Sequence, residues 1–474
     1  MAELRPLADW SGPAANLIMW RPSAAALEAA RQAPISPVPP SYEQEQHLRS
    51  FRACADRNED MPRMFAVVWD EPGRCELREM THVLTAHLRR HDTYHSWFEE
   101  RGGTIVRHAL EDPAALQLEA VTIGAAGEAD WQRQVLATPS PFTWDCFRFG
   151  ILQRADGFTC FAVIDHIHLD SSIIAFLMEE IHTAYFALLD GEAPPHDAPA
   201  GRYLDYCTDQ RQRAALMTLD DPGVAEWIAF LHRHNGRMPP FPLPLAVQED
   251  RCLAEYLQAD ILDEADMAAF EDACRAAGAR VIGGLLACAA ITERELAGTS
   301  YYGVITPTTT RKTPEAFRTT GWCMGVVPID FDSARGDFAK LAAAAQRSFD
   351  SRAPLAQIPI ERVLDLAAGL PSIRPVATGG VMLSYMDTNL PPLSAHIARD
   401  WQAAGGRIYL NPGMAAQVAL WFFRTPQGLT VTAAYTANAT ARSSMRRYAD
   451  TLKDACRRAC GQVRAAPAGP GARP

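Results

Sequence analysis

Val163-Ile164-Asp165-His166-Ile167-His168-Leu169-Asp170 joins two different kinds of segment. Before it, 158–164 (FTCFAVI) is an unbroken apolar run of strand length, the pattern of a strand covered on both faces. After it, 172–189 is strongly apolar, long enough for a helix, and stopped by Asp190-Gly191. A short polar turn between a buried strand and an apolar helix can aim side chains into a cleft while its flanks hold the backbone.

Working outward, the same alternation recurs on both sides. Residues 33–41 (APISPVPPS) are a Pro-rich extended segment, followed by a helix over 42–52. A second helix covers 81–91, where Val83, Leu84, His87 and Leu88 share one face. Residues 192–202, rich in Pro, Ala and Gly, read as a linker. The second half has helices at 224–234, 264–276 and 282–296. Its strands fall at 301–306, 325–331, 381–385, 418–423 and 430–435, and a closing helix at 441–460. Strands and helices interleave in both halves, which predicts an α/β or α+β fold with two comparable lobes. The expected division is an N-terminal lobe over 1–195, a linker over 196–222, a C-terminal lobe over 223–464 and a disordered tail over 465–474.

Bulk properties narrow the function. A chain of 474 residues exceeds what one core usually serves. A net charge of −11 argues against a nucleic-acid binder, which needs a basic face. Eleven scattered cysteines without a CxxC pair fit a reduced cytoplasm better than a disulfide framework. The N-terminus MAELRPLADW has no apolar signal region, and the run near 281–291 is too short to span a bilayer, so a cytoplasmic protein without a transmembrane segment is expected.

His166 and Asp170 stand four apart. An imidazole takes a proton near neutral pH, as transfer of an acyl group to a hydroxyl or amine requires. Two other readings stay open at this level: a hydrogen-bonded structural histidine, or a metal set of His166, His168 and Asp170. No HExxH or Cys/His cluster accompanies the latter. His87, His91 and His95 fall at i, i+4 and i+8, which also invites a metal or pH-switch reading.

Four segments, in order along the chain, bear on the choice. They are Pro40-Ser41-Tyr42-Glu43-Gln44-Glu45-Gln46, Arg90-His91-Asp92 with its flanks through Phe98, Asp165 to Asp170 as HxxxD, and Gly321-Trp322-Cys323-Met324-Gly325. Together they resemble the condensation-domain superfamily, which is chloramphenicol-acetyltransferase-like. The closest likeness is to the polyketide-synthase-associated (Pap-type) acyltransferases that esterify glycolipids and polyketides. The likeness runs from about residue 40 to about 445. Two positions depart from the general pattern: Asp165 replaces the first of two consecutive His, and Ser171 stands where Gly often follows.

The resemblance implies two lobes in a V, with His166 in a channel at their interface open at both faces. It makes His166 the base that takes a proton from an acceptor hydroxyl as it attacks a thioester. No acyl-enzyme is needed, so Cys160 and Ser171 are poor nucleophile candidates. It implies that Asp170 points away from His166 and pairs with an Arg, for which Arg311 is the candidate, and that Gly321 and Trp322 shape the cleft. Ser384, at the end of a strand, is a possible oxyanion or substrate contact, the alternative being a sheet-edge Ser. His87, His91 and His95 become a helix end and a strand start that do not share one face, and no metal is expected. The donor is acyl-CoA or an acyl carrier protein, its phosphopantetheine-bound thioester being a substrate, so no cofactor is expected. The acceptor is a hydroxyl-bearing sugar, glycolipid or polyketide, and a polyketide synthase is a possible partner. An amide-forming condensation enzyme and a non-catalytic carrier-protein docking module are the competing readings.

Overall fold

The structure is a computed structural model. It describes residues 4–195, 200–246, 253–313, 315–374, 380–388, 390, 395–415 and 418–464. The chain forms two compact units. The first is Met1–Thr218 with Thr309–Met324 and Thr388–Met414; the second is Leu219–Thr308, Gly325–Asp387 and Ala415–Pro474. The division is therefore not linear in sequence. Two late segments return to the first unit, and the expected linker over 196–222 contains a helix of that unit, Tyr203–Leu216. The expected tail over 465–474 lies outside the described residues.

The first unit is built on a seven-stranded sheet in the order Leu4–Pro6, Arg407–Leu410, Met64–Pro72, Gly157–Asp165, Phe147–Gln153, Ala15–Pro22, Leu118–Ala126. Only the first pair is parallel; every other pairing is antiparallel. The strand Gly157–Asp165 lies near the middle, and all nine of its residues are buried. Each apolar side chain sequestered there contributes about 1.5–3 kcal/mol, so this strand is a firm base for the turn at its end. The strand stops where the side chain of Asp165 accepts the Ile167 N–H and starts a 3₁₀ turn, His166–His168. A second 3₁₀ turn, Ser171–Ile173, is capped by Asp170 and runs into the helix Ile174–Leu189.

Ser171–Leu189 is a longer stretch than the uncharged run at 281–291, 19 residues with a mean hydropathy of 1.4 and with Glu179 and Glu180 inside it. By length and composition it could cross a membrane. Here it is a core helix, with just under half of the stretch buried, packed on the helix Leu77–Arg90.

The second unit has a six-stranded sheet ordered Met324–Asp332, Tyr301–Thr309, Met382–Asp387, Ala419–Thr425, Gly428–Thr436, Ala254–Asp263. Its middle strands are parallel, Tyr301–Thr309 to Met382–Asp387 and that strand to Ala419–Thr425. The helices Glu264–Ala276, Val281–Ala297, Phe338–Arg352 and Ala439–Arg464 accompany it. Gly284 lets two of these helices approach: a Cβ there would stand 2.2 Å from the Cys274 sulfur. Both units are thus mixed α/β. The elements expected in the second half are present, with ends shifted by no more than four residues.

Candidate active site

The site grows from the end of the Gly157–Asp165 strand. His166 donates its backbone N–H to the Arg63 carbonyl at 2.7 Å and is partly exposed, whereas its neighbours on both sides are buried. Its ring lies between two aromatic side chains, 3.7 Å from the Trp322 centroid and 5.0 Å from Phe65. Nδ1 is buried with no carboxylate holding it. Burial pushes the His166 pKa down to about 4, and the charge of His47 adds to the effect. The backbone carbonyl of His166 itself, then Asp170 and Asp165, pull the other way without cancelling it. The imidazole is therefore neutral across the physiological range, which is the state a base needs.

Asp165 is fully buried and gathers three partners. His47, from the helix Tyr42–Asp56, places Nε2 2.8 Å from Oδ1; Arg63 donates to Oδ2; and Ile167 N–H donates at 3.0 Å. Burial would raise this carboxyl, but the charge and hydrogen bond of His47, with Arg63, hold it well below the usual carboxylate range. Gln44, one helical turn before His47, donates Nε2–H to the Ile167 carbonyl at 3.0 Å while its own Oε1 accepts from Arg107. The helix is set by a capping box in which Ser41 and Gln44 satisfy each other's backbone N–H.

Asp170, also fully buried, faces the other way. Its Oδ2 accepts from Arg311 Nη1 at 2.6 Å and from the Cys323 backbone N–H at 2.9 Å; its Oδ1 accepts from the Ser172 N–H and hydroxyl. Arg311 reaches on to the carbonyls of Thr319 and Gly321. This network ties the HxxxD loop to the 319–323 segment that carries Trp322. At Gly321 a Cβ would stand 2.2 Å from a carbon of the buried Tyr203 ring, so no larger residue fits.

His166, Asp170, Arg311, Gly321 and Trp322 thus come together within the first unit. Ser384 is buried on the strand Met382–Asp387 of the second unit. His168 is separated from His166 in role: Nδ1 is 3.1 Å from the Thr93 hydroxyl and Nε2 is 3.2 Å from the Cys146 sulfur. With both ring nitrogens engaged, it is not part of a metal set with His166 and Asp170. The Cys146–His168 contact is no activated thiolate either, because burial pushes that thiol well up. Cys160 is likewise buried with its thiol raised, and Ser171 Oγ approaches only the Met324 sulfur, at 4.0 Å.

The three spaced histidines need a correction. His87 and His91 do share a face and converge on one carboxylate, Glu180, while His95 turns its Nε2 to the Leu88 and Arg89 carbonyls. Sequence reasoning also passed over His47, Arg63 and Gln44. The capping pattern at Ser41 and Gln44 was the available signal, since it places Gln44 and His47 one turn apart on the same face.

The condensation-domain family model matches residues 65–376. The chain is 42% identical over 454 residues to trehalose-2-sulfate acyltransferase PapA2 of Mycobacterium tuberculosis, covering 96% of each. It is 42% identical over 394 residues to 2'-acyl-2-O-sulfo-trehalose (hydroxy)phthioceranyltransferase PapA1 of Mycobacterium bovis, covering 83% of this chain and 76% of that one. A solved structure of the PapA2 acyl transferase superposes with a TM-score of 0.92 at 41% identity, over 97% of this chain and 99% of that one. A partly exposed neutral imidazole on a doubly anchored HxxxD turn, together with these likenesses along the whole chain, leads to one conclusion: the protein is an acyltransferase of the condensation-domain family, in its polyketide-synthase-associated (Pap-type) branch.

Proposed function

We propose that this acyltransferase moves a fatty or polyketide acyl group from a thioester to a hydroxyl of a trehalose-type sugar or glycolipid, with His166 as general base. The observation that carries the reading is the state of His166: neutral, ring clamped by Trp322 and Phe65, Nδ1 buried, and its open side left to Nε2. Nε2 takes the acceptor proton as the oxygen attacks the thioester carbonyl, then returns it to the leaving thiolate. A thioester is already activated, so the step requires neither an acyl-enzyme nor a metal or organic cofactor. PapA1 and PapA2 are both named for acyl transfer to sulfated trehalose, which supports a sugar acceptor. Coenzyme A and an acyl carrier protein present the same phosphopantetheine arm, and either is a suitable donor; a polyketide synthase is a suitable source of the acyl chain. Asp170 and Arg311 hold the loop, Gly321 and Trp322 shape the surroundings of the base, and Ser384 is kept as a candidate contact to the substrate oxygen. A cytoplasmic site of action belongs to the same reading.

The test is a reaction panel read by mass spectrometry. Acyl-CoA thioesters of graded length are offered with trehalose, trehalose-2-sulfate and simple amines as acceptors. Sugar esters are the expected products, and amides formed to the exclusion of esters would replace this reading by the amide-forming one. Product formation undiminished in His166→Ala would remove the base and favour a docking role.

A further inference from the structure

His87 lies in the last turn of the helix Leu77–Arg90, and His91 is the residue that ends it. Four residues apart, they point to the same side, toward the helix Ile174–Leu189 beyond the HxxxD turn. Glu180 of that helix meets them. Its Oε1 is 2.8 Å from His87 Nδ1, and both its oxygens are 3.1 Å from His91 Nε2. The two imidazoles are buried, with ring centroids 4.7 Å apart. Arg90 also faces the group, its Nε 3.4 Å from Oε2. A pocket opens beside the three ligands, lined further by Ile173, Phe176, Glu179, Arg318 and Thr320.

We propose that His87, His91 and Glu180 form a binding site for one divalent transition-metal ion of the zinc class, apart from the catalytic histidine. Two imidazole nitrogens and a carboxylate oxygen are a zinc donor set, with three protein ligands and one open position. Metal–ligand bonds of about 2.0–2.2 Å at tetrahedral angles place donors about 3.3 Å apart. The two histidine–carboxylate pairs already stand at 2.8 and 3.1 Å, and all three ligand atoms lie within 4.8 Å of one another, so an ion in place of the shared protons requires the rings to adjust around a carboxylate that already joins them. The pocket that the three ligands line can admit a water as the fourth ligand. Oε2 stays with Arg90 as an outer partner.

The same geometry sets the strength. On binding, the ring protons move to His87 Nε2 and His91 Nδ1, both buried with no acceptor. Each missing outer partner weakens a metal site by about 10- to 100-fold, so the affinity falls below that of a closed structural zinc site. The ion links the helix Leu77–Arg90 to the helix carrying the HxxxD turn, and so stiffens the base of the active site without touching it.

Full-length protein is loaded with one equivalent of zinc or cobalt(II), freed of excess and assayed for metal content, cobalt absorption and melting temperature. Wild type should retain about one ion, show the d–d bands of nitrogen and oxygen ligands without thiolate charge transfer, and melt higher with zinc than without. Glu180→Gln and His87→Ala, each checked for native circular dichroism, should lose at least tenfold in affinity and the zinc-dependent rise in melting. Failure of wild type to retain metal, equal retention by either variant, or thiolate charge transfer in the cobalt spectrum would each overturn the proposal. The cobalt spectrum of wild type decides even if a variant does not fold.

Discussion

Asp165 and Asp170 stand on either side of His166, one residue before it and four after, and each is fully buried with an arginine on one of its oxygens. Their second partners differ. Asp165 holds His47, whose ring centroid lies 6.1 Å from that of His166, whereas Asp170 holds the backbone beside Trp322. Neither carboxylate is hydrogen-bonded to the His166 ring, so neither acts as the third member of a triad. The two carboxylates of one motif thus differ in what they hold: Asp165 holds the turn and His47, whose charge acts on the imidazole, and Asp170 holds the segment that carries Trp322.

The contrast can be broken at its centre first. His166→Ala is expected to lower the rate by about 10²- to 10⁴-fold, the usual contribution of a general base, while the melting temperature stays nearly level. On the positional side, Arg311→Ala leaves a buried carboxylate unpaired and should cost about 3–5 kcal/mol of stability, measured by denaturant unfolding, with activity falling alongside. Gly321→Ala forces a carbon into the Tyr203 ring; overpacking of this kind costs about 1–3 kcal/mol and should displace Trp322 from the imidazole, seen as a fall in kcat larger than any change in KM.

The electrostatic side predicts a subtler signature. Because His166 titrates at about 4, the neutral, active form persists through neutral pH, and the rate should fall only as pH drops through that value. His47 lowers that pKa by its charge, so His47→Gln should raise it and move the acid limb of the pH–rate profile to higher pH, with little change in the plateau. An unmoved limb would mean that His47 only supports the turn through Asp165.

Much of the site was legible before any coordinates. The change from a continuous apolar strand to an apolar helix marks the turn on which His166 sits, and the HxxxD and Gly-Trp segments, with Arg311, name the positions that converge there. The helix 264–276 was read with its observed ends, because its polar cap and its apolar spacing are local signals. Other features left no local trace. The strand Arg407–Leu410 is four residues long and joins a sheet whose other members lie hundreds of positions earlier, so neither its pairing nor the return of 388–414 to the first unit is written in any window of sequence. The spacing of His87 and His91 was noticed, but its meaning depended on Glu180, which arrives from another helix.

By itself, then, the sequence determined the order of elements, the place of the HxxxD turn and the family to which that order belongs, since periodicity, caps and motif order are properties of neighbouring residues. Tertiary structure alone decided which charges share a buried carboxylate. His47 reaches Asp165 across 118 positions, Arg63 across 102, and Arg311 reaches Asp170 across 141. A carboxylate taken out of water must find hydrogen-bonding or charged partners wherever the fold brings them, and that demand, unlike a helix's period, fixes no distance along the chain.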